Sequence, residues 1–317
     1  MPSEFELIAR YFTRPTPHAV LGGGDDGALI QPTPGMTMVI STDMLAAGTH
    51  FLPDTDPEAL GWKCLAVNVS DLAAMGAQPR WAVLAAALPD ADERWIAAFA
   101  DGFFACAKAF GIDVIGGDTT RGAMNFCVTI FGEVPPGQAL LRSGASPGDQ
   151  IWVSGTPGRA ALGLAHLQGR CNLSKPALTD CLLALHRPQP RVPLGLALRQ
   201  RATSAIDISD GMLADLGHIL ERSGVAAAIQ IGQLPTLPPC TDLPLARECQ
   251  LAGGDDYELA FTAPAENHHE IASLGANLGI DLTCIGVITE GSLPTLTLLD
   301  AEQKVWSPSR MGFDHFA

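Results

Sequence analysis

Between Met36 and Val134 the hydrophobic period changes several times, and each change marks an element. "MTMVIST" (36–42) is β-rich and ends at Asp43. "DPEALGWKCLAVNVSDLAAMG" (56–76) repeats its apolar residues at helical spacing, with Asp56 or Pro57 to start it and Gly76 to stop it. "RWAVLAAALP" (80–89) predicts a strand closed by proline, and "DERWIAAFADGFFACAKAF" (92–110) a second helix with Gly111 as C-cap. "IDVIGG" (112–117) and "MNFCVTIFGEV" (124–134) predict two more strands. The order β-α-β-α-β-β predicts an α+β sandwich with helices on one face.

The pattern breaks at "RSGASPGD" (142–149), a Gly, Ser and Pro seam. A strand "QIWVSG" follows, then helix-rich sequence to about residue 222. A second β/α stretch holds "YELAFTA" (257–263), a helix near 265–277 and "LTCIGVI" (282–288). No internal repeat interrupts this. The expected organisation is two domains, residues 1–137 and 138–317.

Composition narrows the class. The 317 residues are 47% hydrophobic and 17% charged, which is globular. A net charge of −15 argues against a general nucleic-acid or anionic-membrane binder, but not against anionic substrates if metal ions mediate. The apolar run "WAVLAAAL" (81–88) is far short of the ~20 residues a membrane span needs. "MPSEFELIAR" has no signal-peptide core, and the eight cysteines form no C-x-x-C pair. These features fit a soluble cytoplasmic protein with reduced thiols.

The chemical feature that recurs is aspartate beside glycine or at a strand end. It appears in "GGGDDG" (22–27), "STD" (41–43), "NVSDLAAMG" (68–76), "GGDTT" (116–120), "DISDG" (207–211) and "GGDDYEL" (253–259). Singly, each has a plain structural reading. Asp25 and Asp26 suit a surface turn, Asp71 a solvated helix face, Asp118 a turn cap, and Ser209 or Asp210 a helix N-cap. Jointly they point to hard cations, because clustered carboxylates repel unless an ion relieves them. Oxygen ligands without nearby His or Cys suit Mg²⁺, which also binds substrate phosphates. No G-x-x-x-x-G-K-[ST] is present, nor the H-R-D and D-F-G pair of protein kinases. "GGGDDG" also lacks Rossmann spacing. What remains is a nucleotide site in which metals rather than lysines neutralise phosphate, and the chain has only Lys63, Lys108, Lys175 and Lys304.

The ordered set "GGGDDGALI", "STDMLAAGTHF", "WKCLAVNVSDLAAMGAQP", "GGDTTRG", "LRSGASPGD", "IDISDGMLADLGHI" and "GGDDYEL" resembles the thiamine-monophosphate kinase family. That family belongs to the superfamily of aminoimidazole ribonucleotide synthetase, and the likeness runs from "EFELIARYF" (4–12) to "GFDHF" (312–316). The resemblance implies a two-domain α+β fold whose N-terminal domain (1–137) binds ATP and metal. That domain pairs with a second subunit into a β-barrel, and an α/β domain follows it. It implies direct phosphoryl transfer from ATP to thiamine monophosphate in a homodimer, with several Mg²⁺ ions and no phospho-enzyme.

Carried over residue by residue, Asp26, Ser41, Thr42, Asp43, Asp71 and Asp118 look like metal ligands, joined by Asp207 and Asp210. Asp43, Asp71 and Asp210 stand nearest the chemistry on this reading. Gly117, Asp118, Arg142 and Ser209 are similar to the ATP contacts, and His50, Glu258 and Phe313 to the thiamine-phosphate contacts. On residue types alone, Glu258 faces either a cationic ring or water, and Phe313 either stacks on a ring or packs on the core. The chain departs from the family in reading Gly-Gly-Gly for Gly-Ile-Gly, and in Gly27 for a common alanine. The extra glycine at Gly23 loosens the metal loop. The selenophosphate-synthetase relatives need a reactive residue near the N-terminus, whereas the first cysteine here is Cys64. The hydrogenase-maturation relatives use a C-terminal cysteine, and this chain ends "GFDHFA".

Overall fold

The structure is a computed structural model that describes residues 3–291 and 293–314. The chain divides into two units, Met1–Leu72 with Ala77–Gly137, and Ala73–Gly76 with Gln138–Ala317. His315 and Phe316, from the last quoted stretch, lie outside the described residues.

The first unit opens with a single helical turn, α1 (Glu4–Leu7), that widens at Ile8–Phe12. Then come β1 (Thr37–Ala46), α2 (Pro57–Ala74), β2 (Gln78–Leu88), α3 (Glu93–Phe110), β3 (Asp113–Arg121) and β4 (Asn125–Val134). The sheet order is β1-β4-β2-β3, antiparallel except for β2 and β3. The β-α-β-α-β-β order expected from the hydrophobic pattern is the order observed.

Alternation decides which face the helices cover. Along β1, Val39 and Leu45 are buried while Ile40 and Met44 are 61% and 57% exposed. Phe126, Val128 and Ile130 of β4 lie on the covered side and are fully buried. There Phe99 of α3 stacks on Phe126 with ring centroids 4.5 Å apart, and Trp95 stacks on Phe99. α3 starts where Asp92 accepts the N–H groups of Arg94 and Trp95, and stops at left-handed Gly111.

Helices α2 and α3 cross through glycine. A Cβ on Gly102 would collide with the Glu58 carbonyl oxygen, and one on Gly61 with that of Phe99. At the end of β4, buried Glu133 accepts the Thr33 N–H at 2.5 Å and the Arg80 Nε–H at 3.0 Å.

Two strands run further than their hydrophobic pattern. β1 was expected to end at Asp43, yet its pairing with β4 continues to Ala46 opposite Asn125. β3 was expected to stop at Gly117, but it pairs with β2 as far as Arg121 opposite Leu88. Ladder hydrogen bonds carry both strands past polar side chains. Asp43 and Asp118 therefore sit within strands rather than at their ends.

The second unit holds β5 (Gln150–Ser154), α4 (Arg159–Leu167), α5 (Lys175–His186), α6 (Val192–Leu198), β6 (Ser204–Asp207), α7 (Met212–Ser223) and β7 (Ala226–Gln230). It continues through α8 (Leu243–Ala252), β8 (Leu259–Ala263), α9 (His268–Leu278), β9 (Leu282–Thr289), β10 (Leu296–Leu299) and β11 (Val305–Trp306). The seven strands order as β11-β10-β7-β9-β5-β8-β6, and only β10 and β7 pair in parallel. Ile151, Ile206, Leu213, Leu216, Ile229, Leu251 and Ile285 share one core. β6 lies inside the stretch expected to be helix-rich. Its "SAID" is buried throughout, so it shows no alternation to read.

The glycine crossing gives a test. Gly102→Ala forces α2 and α3 apart and lowers stability by roughly 1–3 kcal/mol, the usual cost of overpacking. Urea unfolding measures it, and an unchanged midpoint contradicts the crossing.

Candidate active site

The first unit gathers its polar residues on β1, α2 and two glycine loops. Ser41 and Asp43 alternate onto the helix side of β1, where Ser41 Oγ donates to Asp71 Oδ2 at 2.5 Å. The Asp43 N–H donates to Asn68 Oδ1 at 3.0 Å, and Asn68 Nδ2 in turn donates to the Cys64 carbonyl. Asn68 and Asp71 are one turn apart on the same face of α2. Asp71 is therefore half-buried against the strand, not on a solvated helix face. Thr42 points to the other side of the sheet, donating to the Val128 carbonyl at 3.0 Å, so its side chain does not join this group.

The loop 22–27 runs exposed past β3. A Cβ on Gly23 would lie 3.7 Å from the Ile115 carbonyl oxygen and 3.9 Å from Gly116 Cα. This brings "GGGDDG" beside Gly116, Gly117 and exposed Asp118. Gly117 has φ 153°, and any Cβ there would strike the Leu84 carbonyl. The adjacent aspartates of the loop differ, since Asp25 Oδ1 accepts the Asp26 N–H at 3.0 Å. His50 Nδ1 accepts the Ala46 N–H at 3.0 Å, which shapes the turn after β1 and places the ring proton on Nε2.

In the second unit, Asp207 ends β6 and Ile208–Gly211 lead into α7. The N-cap of α7 is Gly211 and makes no side-chain cap, contrary to the expectation for Ser209 or Asp210. Asp215, in the first turn, does the work instead. Its Oδ2 accepts the N–H groups of Ser209, Asp210 and Gly211 at 3.0, 3.1 and 3.1 Å. Burial and the neighbouring Asp210 push this carboxyl up to about 7, against the pull of those three donors. On the other side the Phe313 N–H donates to the Asp210 carbonyl at 2.9 Å, with the Phe313 side chain 46% exposed. Arg142 is exposed, and its carbonyl accepts from Ser223 Oγ.

Glu258 does not point to water. Its carboxylate is 3% exposed and paired in both oxygens with Arg191, each contact 2.6 Å. Ser154 Oγ donates to it as well, at 2.5 Å. Strand periodicity fails here because β8 begins only at Leu259, after Asp255 and Tyr257 take left-handed φ of 70° and 52°. Asp256, buried between them, caps α4 by accepting the Gly158 N–H at 2.6 Å.

The donor chemistry fits magnesium, since the gathered groups are carboxylates, hydroxyls and carbonyls. Among the described residues, however, no three His, Cys, Asp or Glu side chains stand together as a ready metal site. The complete carboxylate shell expected from the sequence is thus not preassembled. Mg²⁺ does not require one, because it commonly takes one or two carboxylates, waters and substrate phosphate. Cys64, the first cysteine, is buried in α2, and burial holds its thiol far above the usual range.

Residues 24–134 match the family described as AIR synthase related protein, N-terminal domain. Over 99% of the chain and 98% of the relative, the sequence is 46% identical to the thiamine-monophosphate kinase of Escherichia coli K12. The fold is similar to the crystal structure of thiamine-monophosphate kinase from Stenotrophomonas maltophilia K279a, with TM-score 0.83 and 47% identity. That likeness covers 92% of this chain and 94% of that one. It is also similar to AaThiL complexed with AMPPCP and TMP, with TM-score 0.73 and 31% identity over 89% and 90% of the two chains. The chain belongs to the thiamine-monophosphate kinase family.

Proposed function

We propose that this protein transfers the γ-phosphoryl group of ATP directly to thiamine monophosphate, giving ADP and thiamine diphosphate. The observation that carries this reading is the full-length 46% identity to a thiamine-monophosphate kinase. A 31% identical neighbour held with AMPPCP, an ATP analogue, and TMP together supports it.

The acceptor is a phosphate monoester, already largely ionised near pH 7, so no general base is required. The obstacle is electrostatic. Donor and acceptor carry a combined charge of about −6, and their repulsion costs several kcal/mol at an effective protein dielectric. Bound Mg²⁺ supplies the compensating positive charge at the phosphate oxygens. Asp26, Asp43, Asp71 and Asp118 would hold several such ions in the first unit, with Ser41 held on Asp71. Thr42 contributes through its main chain, because its hydroxyl is turned to Val128. Asp207 and Asp210 are ligands in the second unit.

Gly117, Asp118, Arg142 and Ser209 receive ATP in this scheme, and neighbouring Gly116 leaves open space where a Cβ would stand. His50 and Phe313 receive the acceptor. Glu258 joins them as an acceptor contact, its carboxylate oriented by Arg191. The functional division is a nucleotide- and metal-binding first unit and a second α/β unit.

The uncovered side of the first sheet supports a homodimer. It presents Ile40 and Met44 with Thr42 and Cys127, an apolar stripe that a second copy's sheet would cover as a closed barrel. No helix among the described residues is long and apolar enough to cross a membrane, which supports a cytoplasmic enzyme.

Incubation with ATP, Mg²⁺ and thiamine monophosphate should yield thiamine diphosphate and ADP in equal amounts. ADP formation with the aminoimidazole precursor but not with thiamine monophosphate overturns the reading. Asp71→Asn should lower kcat by about 10²-fold or more while leaving the melting temperature within a few degrees, since one metal ligand loses its charge. Turnover equal to wild type removes Asp71 from the mechanism. Ile40→Glu should convert a dimer to monomer in sedimentation velocity, and a variant that stays dimeric places the interface elsewhere.

A further inference from the structure

Every main-chain polar group from the Ile208 N–H to the Gly211 carbonyl has a hydrogen-bond partner inside the protein. The Ile208 N–H donates to the Glu258 carbonyl at 2.8 Å. The carbonyls of Ile208, Ser209 and Asp210 accept from Tyr257, Asp255 and Phe313 at 2.8, 2.9 and 2.9 Å. The Gly211 carbonyl accepts the Asp215 N–H at 3.0 Å. The remaining N–H groups, those of Ser209, Asp210 and Gly211, converge on the single oxygen Asp215 Oδ2.

Three successive N–H groups at the start of a helix are a ready anion seat. Here the seat is filled from within, by a carboxylate that is 3% exposed. A phosphate could enter only by displacing a buried, triply bonded oxygen. The glycine loops of the first unit differ, because Gly116, Gly24 and Gly27 have open space where a Cβ would stand.

We propose that Asp215 is a positioning residue for phosphoryl transfer. Its carboxylate is the loop's built-in anion, closing the start of α7 to nucleotide phosphate and fixing the backbone from which Asp207 and Asp210 project. The clamp on the opposite side is strained, since Asp255 and Tyr257 hold left-handed backbone to deliver their N–H groups. Such strain persists where the surroundings over-determine it, and here it serves the same loop. The loop then offers a ligand its side chains and not its peptide groups. This rests on the reading of Asp207 and Asp210 as metal ligands.

The test is calorimetric titration of Mn²⁺ into the full chain with a non-hydrolysable ATP analogue. Asp215→Ala should raise half-saturating Mn²⁺ by about tenfold, as losing the support of a metal ligand commonly does. Asp215→Asn keeps an acceptor oxygen without the charge and should raise it by about threefold. In an Asp210→Asn background the Asp215→Asn shift should shrink, because one of the two ligands that Asp215 supports is gone. Wild-type half-saturation in folded Asp215→Asn overturns the proposal, as does a shift that persists unchanged without Asp210. If Asp215→Ala does not fold, Asp215→Asn alone decides. A wild type that binds Mn²⁺ but makes no thiamine diphosphate refutes the proposed substrate and leaves the role of Asp215 standing. A wild type that binds no Mn²⁺ refutes the role of Asp215.

Discussion

Repulsion between negative charges is the constraint on which the rest of this structure depends. The chain carries a net charge of −15 with four lysines, yet its proposed substrates are two phosphates that must meet in line. On the proposed reading Arg142 is the one cation among the ATP contacts, and the side chains gathered at the loops are Asp, Ser and Asn. Arg142 is exposed, and Arg191 is committed to Glu258. On that reading most of the positive charge comes from outside the chain, and the protein's task is to hold oxygen donors ready for it.

Donors held ready must not repel one another before the ion arrives, and the two units meet that need differently. In the first, neutral partners hold the acids apart. Ser41 donates to Asp71, and Asn68 fixes the backbone of Asp43 without adding charge. In the second, the buried Asp215 carboxylate beside Asp210 is offset by the three N–H groups that converge on its Oδ2. Neither arrangement is a finished cage, which suits an ion that keeps waters and completes its shell with phosphate.

The elements with clear periods were legible in the sequence: α2, the start of β1, and α3 with its Gly111 cap follow from apolar spacing and end signals. The strands of the second unit were harder. β6 and β7 are short and largely buried or alanine-rich, so neither alternates visibly, and only pairing defines them. The same limit hid the true ends of β1 and β3, where ladder bonds override polar side chains. At the candidate site, glycine–aspartate motifs marked the loops proposed to hold metal, but which face a side chain takes was legible only where a period existed. Thr42 and Glu258 show the two limits, one a strand residue whose hydroxyl turns to the far face and the other a residue before its strand begins. Asn68 and Asp215 carried weak signals, lying one turn from Asp71 and four residues past Gly211, and only three-dimensional partners reveal their roles.

Sulfur substitution on the nucleotide tests the central claim most directly. ATP carrying sulfur at a non-bridging γ- or β-phosphoryl oxygen is compared in Mg²⁺ and in Cd²⁺, since soft Cd²⁺ accepts sulfur and hard Mg²⁺ does not. The account predicts that transfer to thiamine monophosphate collapses with Mg²⁺ and recovers with Cd²⁺ at one of these positions. An equal sulfur effect in both metals, at both positions, would mean that no metal touches the phosphates and would contradict it.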